Sequence, residues 1–184
     1  MRSWDNVFDL FSKNQISIKT PMPSNKKNLL ALTGSFNQKV IQVNTYYVGS
    51  GKNRTIVTRM DIFLDNGQLA EFSLYKETIF SKLGELLGSV DIKTGNAEFD
   101  KTFRLKSKNE TETQKIFNDE VINHCQNVKK DFTGTILSKE NKLSFFMNGL
   151  PGNKMQLLHF NCLLSIVLLL TKHSSKPSGH SPKN

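Results

Sequence analysis

Two runs of alternating side chains, Lys39 to Val48 and Arg54 to Leu64, flank the five residues Gly49-Ser50-Gly51-Lys52-Asn53. Alternation puts Ile41, Val43, Thr45 and Tyr47 on one face of the first run, and Ile56, Thr58, Met60, Ile62 and Leu64 on one face of the second. A short glycine-rich link between two such runs makes a hairpin, so they define an antiparallel sheet with one apolar face. Asp65-Asn66-Gly67 is hairpin-turn chemistry, and Ala70, Phe72 and Leu74 continue the alternation beyond it. The sequence therefore predicts a three-stranded antiparallel meander. A second hairpin is predicted from Phe132–Leu137 and Leu143–Met147 across Ser138-Lys139-Glu140-Asn141.

The apolar face needs a cover, and the helical segments supply it. Trp4, Val7, Phe8 and Phe11 fall at i, i+3, i+4 and i+7, with Ser3 as a candidate cap. Acidic Asp5 and Asp9 beside this stripe favour docking on the domain over an interfacial membrane helix, which wants Lys or Arg on its polar face. Glu77–Leu87 reads as a short helix. Asn109 with Glu112 resembles a capping box opening a helix that runs to about Cys125 and buries Thr113, Ile116, Phe117, Val121 and Cys125. Met155–Leu170 is the most apolar segment. At helical rise it spans about 24 Å, against about 30 Å of bilayer hydrocarbon, so a core helix is favoured over a membrane-inserting one. The expected fold class is α+β: an antiparallel meander plus a second hairpin, with helices packed mainly on one face. The expected organisation is an amphipathic helix at 1–16, a connector at 17–33, an α+β domain at 34–171 and a disordered tail at 172–184.

Between the hairpins, Val90–Lys93 reads as a brief strand and Thr94-Gly95-Asn96 as a turn. Phe99 and Phe103 are one helical turn apart, and Phe103, Leu105 and Ser107 alternate with Arg104, Lys106 and Lys108. The run Gly84-x-x-x-Gly88-x-x-Asp91-Ile92-x-Thr94-Gly95-x-x-x-Phe99-Asp100-x-x-Phe103 resembles a signature of uncharacterised bacterial domains of unknown function. The likeness extends to Gly34-Ser35-Phe36-x-x-x-Val40, the strand Thr55–Leu64 and the arm Leu143–Met147. It implies a meander before the run and a helix after it. It implies no activity.

The net charge of +9 is uneven. Residues 1–60 hold nine Lys/Arg against two Asp/Glu, whereas residues 61–120 hold eight against twelve. An acidic middle third does not suit a uniform nucleic-acid coat. Two cysteines, Cys125 and Cys162, are too few for a disulfide framework and suit a reducing compartment. Trp4, Asp5 and Asp9 stand where a signal peptide needs a basic start and an apolar core, so the expected location is cytoplasmic, with membrane-peripheral association as the rival.

Asp91, Glu98 and Asp100 are the only metal candidates, and they match just a fragment of a calcium loop, so neither metal nor cofactor is expected. Gly49-Ser50-Gly51-Lys52 lacks the Walker spacing and joins two strands rather than a strand to a helix. Tyr46, Lys52, Arg54 and Arg59 form an aromatic and basic group near that hairpin, of the kind that binds single strands, while Tyr47 falls on the core face. His124-Cys125 and His159 with Cys162 sit in separate apolar helices, which suits core residues over zinc ligands or a thiolate nucleophile. The leading expectation is a non-enzymatic interaction module binding a protein or membrane-proximal partner. Nucleic-acid binding through Tyr46, Lys52, Arg54 and Arg59 is the first alternative, and peripheral membrane binding the second.

Overall fold

The computed structural model describes residues 5–23, 30–65, 69–76 and 89–173. Ser3, Trp4, the Asn66-Gly67 turn, the helix expected at 77–87 with Gly84 and Gly88, and the tail beyond His173 lie outside the described residues.

The described chain runs α1 (Asp5–Lys13), β1 (Ser17–Pro23), β2 (Leu30–Phe36), β3 (Lys39–Val48), β4 (Thr55–Phe63), β5 (Phe72–Lys76) and β6 (Val90–Ile92). It continues as α2 (Ala97–Thr102), β7 (Phe103–Ser107), α3 (Glu110–Ile116), α4 (Asp119–Asn127), β8 (Thr135–Lys139), β9 (Lys142–Asn148) and α5 (Lys154–His173). All described strands join one antiparallel sheet in the order β1-β2-β3-β4-β9-β8-β5-β7-β6. The fold class is α+β, as the alternation implies.

The fold departs from the sequence-based expectation in three places. The connector at 17–33 contains two strands, β1 and β2, that extend the sheet at one edge. Pro21 and Pro23 make the segment look like a loop, but an edge strand tolerates residues without an N–H. The close approach has a visible cost in side-chain freedom. A Cβ on Gly34 would stand 2.5 Å from the Ser17 carbonyl oxygen, so β2 needs glycine where β1 is irregular between Ile18 and Thr20. Second, the meander is β1 to β4, and β5 does not pair with β4. Strand β9 pairs there instead, Met60 facing Phe145 and Ile62 facing Leu143, while β5 lies between β8 and β7. Third, the long helix expected from Glu110 to Cys125 is two helices. Asn109 caps α3 by accepting from the Glu112 N–H, and Asn118 caps α4 by accepting from the Val121 N–H at 3.1 Å.

The second hairpin is β8–β9, turned at Glu140 and Asn141, both with positive φ, the pattern of a two-residue type I′ turn. Helices cover one face of the sheet, and phenylalanines tie the layers together. Phe145 of β9 meets Phe160 of α5 edge-on at 5.1 Å between centroids, and Phe160 also meets Phe11 of α1 at 5.9 Å. Phe103 contacts Phe99 and Phe132, and Phe72 contacts Phe117. Val7 and Phe11 are wholly buried, so α1 docks on the domain and belongs to the same core as residues 34–171. Helix α5 is twenty residues long and apolar enough, by length and composition, to cross a membrane. In this fold its Leu163, Leu164, Ile166, Val167 and Leu170 are buried against the domain.

Candidate functional site

The three acidic residues singled out from the sequence do not converge. Asp100 Oδ1 accepts from the Thr94 N–H and the Thr94 hydroxyl, both at 3.0 Å, closing the turn before α2. Glu98 pairs with Lys129 of the α4–β8 segment, which holds its carboxyl below the ordinary carboxylate range. Asp91 lies 4.0 Å from Lys106 on the neighbouring strand. Each stabilises local structure, and no cluster of three metal-ligand residues occurs among the described residues. Asn96 does more than its sequence suggests. It caps α2 at the Phe99 N–H and accepts from Gln126 Nε2 at 2.8 Å, fastening α2 to α4.

The aromatic and basic group is divided. Tyr46 and Arg59 lie on the sheet face opposite Met60 and Val43, a face on which no described helix packs. Arg59 Nε donates to the buried Asp61 at 2.8 Å and its guanidinium lies 5.0 Å from the Phe146 ring centroid, so its charge is already matched. Ser144 donates to the same carboxylate. Burial raises the Tyr46 pKa, with Arg59 working against the rise and Asp61 with it. Lys52 and Arg54 sit at the β3–β4 tip, where Arg54 stacks on Tyr47 at 3.6 Å from the ring centroid. Tyr47 is 38% exposed and is not a core residue, because the alternation runs past the edge of the helical cover.

The thiols are inert by burial. Cys162 donates to the Val128 carbonyl oxygen, and burial pushes its pKa up to about 12, with Asp131 adding to the rise. Cys125 is raised further by burial and by Cys162. His159 is bound through Nδ1 to the Asp131 carbonyl at 2.8 Å. Neither histidine activates a thiolate, which a nucleophilic cysteine needs.

The described residues form a cleft of about 680 Å³ at the C-terminal ends of α1 and α5. This lies within the size range of ordinary ligand sites. Its floor is Phe36, Leu168 and Leu169, and its walls carry the carboxamides of Asn14, Gln15, Asn37, Asn123 and Asn127. Lys13 and Lys172 stand at its rim with Glu120, so both signs of charge are present and the net is one positive charge. Asn37, Asn123 and Asn127 make no side-chain hydrogen bond with any described residue. Gln15 and Asn37 both hold positive φ, 58° and 47°, the first ending α1 and the second turning β2 into β3.

One pair in the cleft has the residue types of a hydrolase: His124 Nε2 lies 2.9 Å from Ser165 Oγ. The hydrogen-bond inventory assigns it otherwise. Ser165 has one hydroxyl hydrogen and donates it to the Cys162 carbonyl at 2.8 Å, so the imidazole must donate to Ser165. A serine nucleophile requires the opposite direction of transfer. Burial lowers the His124 pKa, with Glu120 opposing, and the neutral ring is consistent with this role. The pair braces α4 against α5.

The cleft is hard to see in the sequence, because its walls come from four elements far apart in the chain. The one local signal is the pair of carboxamides Asn123 and Asn127, four residues apart and so on one face of α4. No protein-family model, curated protein or solved structure matches this chain.

Proposed function

We propose that the protein is a non-enzymatic interaction module that takes a polar peptide segment of a protein partner into the cleft between α1, α4, α5 and the β2–β3 turn. The supporting observation is the set of unpartnered carboxamides, Asn37, Asn123 and Asn127, above an apolar floor. A carboxamide offers a donor and an acceptor side by side, which is the pattern of a peptide group. Glu120 at the rim offsets part of the charge of Lys13 and Lys172, which weakens the attraction for a polyanion.

Panning a displayed random-peptide library against the full chain tests this. Selected peptides should lose about three- to tenfold in affinity with Asn123→Ala and with Asn127→Ala, the worth of one hydrogen bond each. Peptides indifferent to both variants refute the cleft as the binding site. Hydrolysis of an activated ester that disappears in Ser165→Ala refutes the non-enzymatic reading.

A further inference from the structure

The opposite end of the molecule carries a different surface. Gly149 donates to the Ile56 carbonyl at 2.8 Å and accepts from Thr58 Oγ1 at 2.6 Å, which fixes the entry to α5 beside the start of β4. Ile56 is the sheet partner of Tyr47, and Gly149 lies against the Gln156 side chain. The β3–β4 tip and the first turn of α5 therefore share one end of the fold. That end exposes Tyr47, Val48, Met155 and Leu158, with Met155 at 59%. Around them stand the exposed cations Lys52, Arg54 and Lys154. No Asp or Glu occurs from residue 10 to 60 or from 141 to 184, so neither contributing segment has an acid to offset them. The tip is held rather than loose. Gly49 has a φ of +86°, and a Cβ there would stand 2.6 Å from the Asn53 carbonyl oxygen.

We infer that this end docks on an anionic membrane surface, independently of the cleft. Exposed aromatic and aliphatic side chains ringed by cations match the interfacial layer, where apolar groups enter the headgroup boundary and Lys and Arg meet lipid phosphates. The arrangement needs no release of α5 from the core, since Met155 and Leu158 already point outward. Charge complementarity favours a lipid surface over a second copy of this chain, because equal positive ends repel.

Flotation of the full chain with vesicles of phosphatidylcholine, alone or with about one third phosphatidylserine, tests the inference. The chain should float with the anionic vesicles and remain behind with the neutral ones. Lys52→Glu with Lys154→Glu should lower the partition about tenfold or more, at roughly fivefold for each cation lost near the surface. Met155→Ser should weaken it further without changing the charge. Lys101→Glu with Lys108→Glu, the same change in net charge at the far edge of the sheet, should leave it unaltered. Absence of flotation, or equal loss in the far-edge variant, overturns the inference. So does binding of a single-stranded oligonucleotide that depends on Lys52 and Lys154 while vesicles are ignored.

Discussion

Removing the Phe11 ring tests whether α1 belongs to the core. Phe11 is wholly buried, and its ring sits 5.9 Å from Phe160, which in turn meets Phe145. Truncation of a fully buried phenylalanine to alanine costs about 3–5 kcal/mol, from lost transfer energy plus the cavity left behind. For a chain of this size that corresponds to a fall in Tm of about 6–20 °C. A helix lying free of the domain would lose only about 0.5 kcal/mol, as surface substitutions do. The direct measure of contact is the double-mutant cycle with Phe160→Ala. The coupling should be about 0.5–1.5 kcal/mol, the worth of an aromatic pair beyond its area. Urea unfolding of the four proteins, followed by far-UV circular dichroism, supplies the numbers. A Phe11→Ala effect below about 1 kcal/mol, or additive single changes, would show that the helix is not seated where the structure has it.

Gln15 adopts a left-handed conformation that glycine reaches without strain, so Gln15→Gly should raise stability by about 0.5–1 kcal/mol in thermal unfolding while removing one wall of the cleft. The Cys162 thiol keeps its proton to about pH 12 when folded, whereas an unfolded cysteine loses it near pH 8.5. Above that lower value the unfolded chain binds fewer protons than the native one, so stability should decline as pH rises through the interval between them. Native protein at pH 9 should resist alkylation at both cysteines and react fully in denaturant; rapid native alkylation would contradict the burial. The folded-state pKa of His124 is lowered, so stability should also decline as pH falls below about 6.5, where the unfolded chain takes up a proton that the native ring refuses. His124→Gln, which removes the titrating ring, should reduce that acid sensitivity in denaturation curves measured across pH 5 to 7.

The β3 and β4 runs were readable because each strand has one wet face and one dry face, and a period of two leaves no alternative register. The capping residue Asn109 was readable for a similar reason: the chemistry is local. Pairing at a distance was not. Nothing within residues 55–76 says that β9, some eighty residues later, takes the place beside β4 that a tight turn would have given to β5. The apolar stripe that continues from α3 into α4 hid the break at Asn118, although Asn118-Asp119-Glu120 is a sound helix start. The cleft was the least readable feature, since a void has no residue of its own and each polar side chain that lines it, taken alone, is what any water-facing helix or turn carries.

The two borders of the sheet set how this chain behaves in company. A border strand with a full row of free N–H and C=O groups invites pairing by any extended neighbour. At one border here, Pro21 and Pro23 contribute no N–H to β1. At the other, β6 is only three residues long. A wide open sheet is thus stopped at both sides by different means, and crowding many copies together gives them little backbone on which to stack.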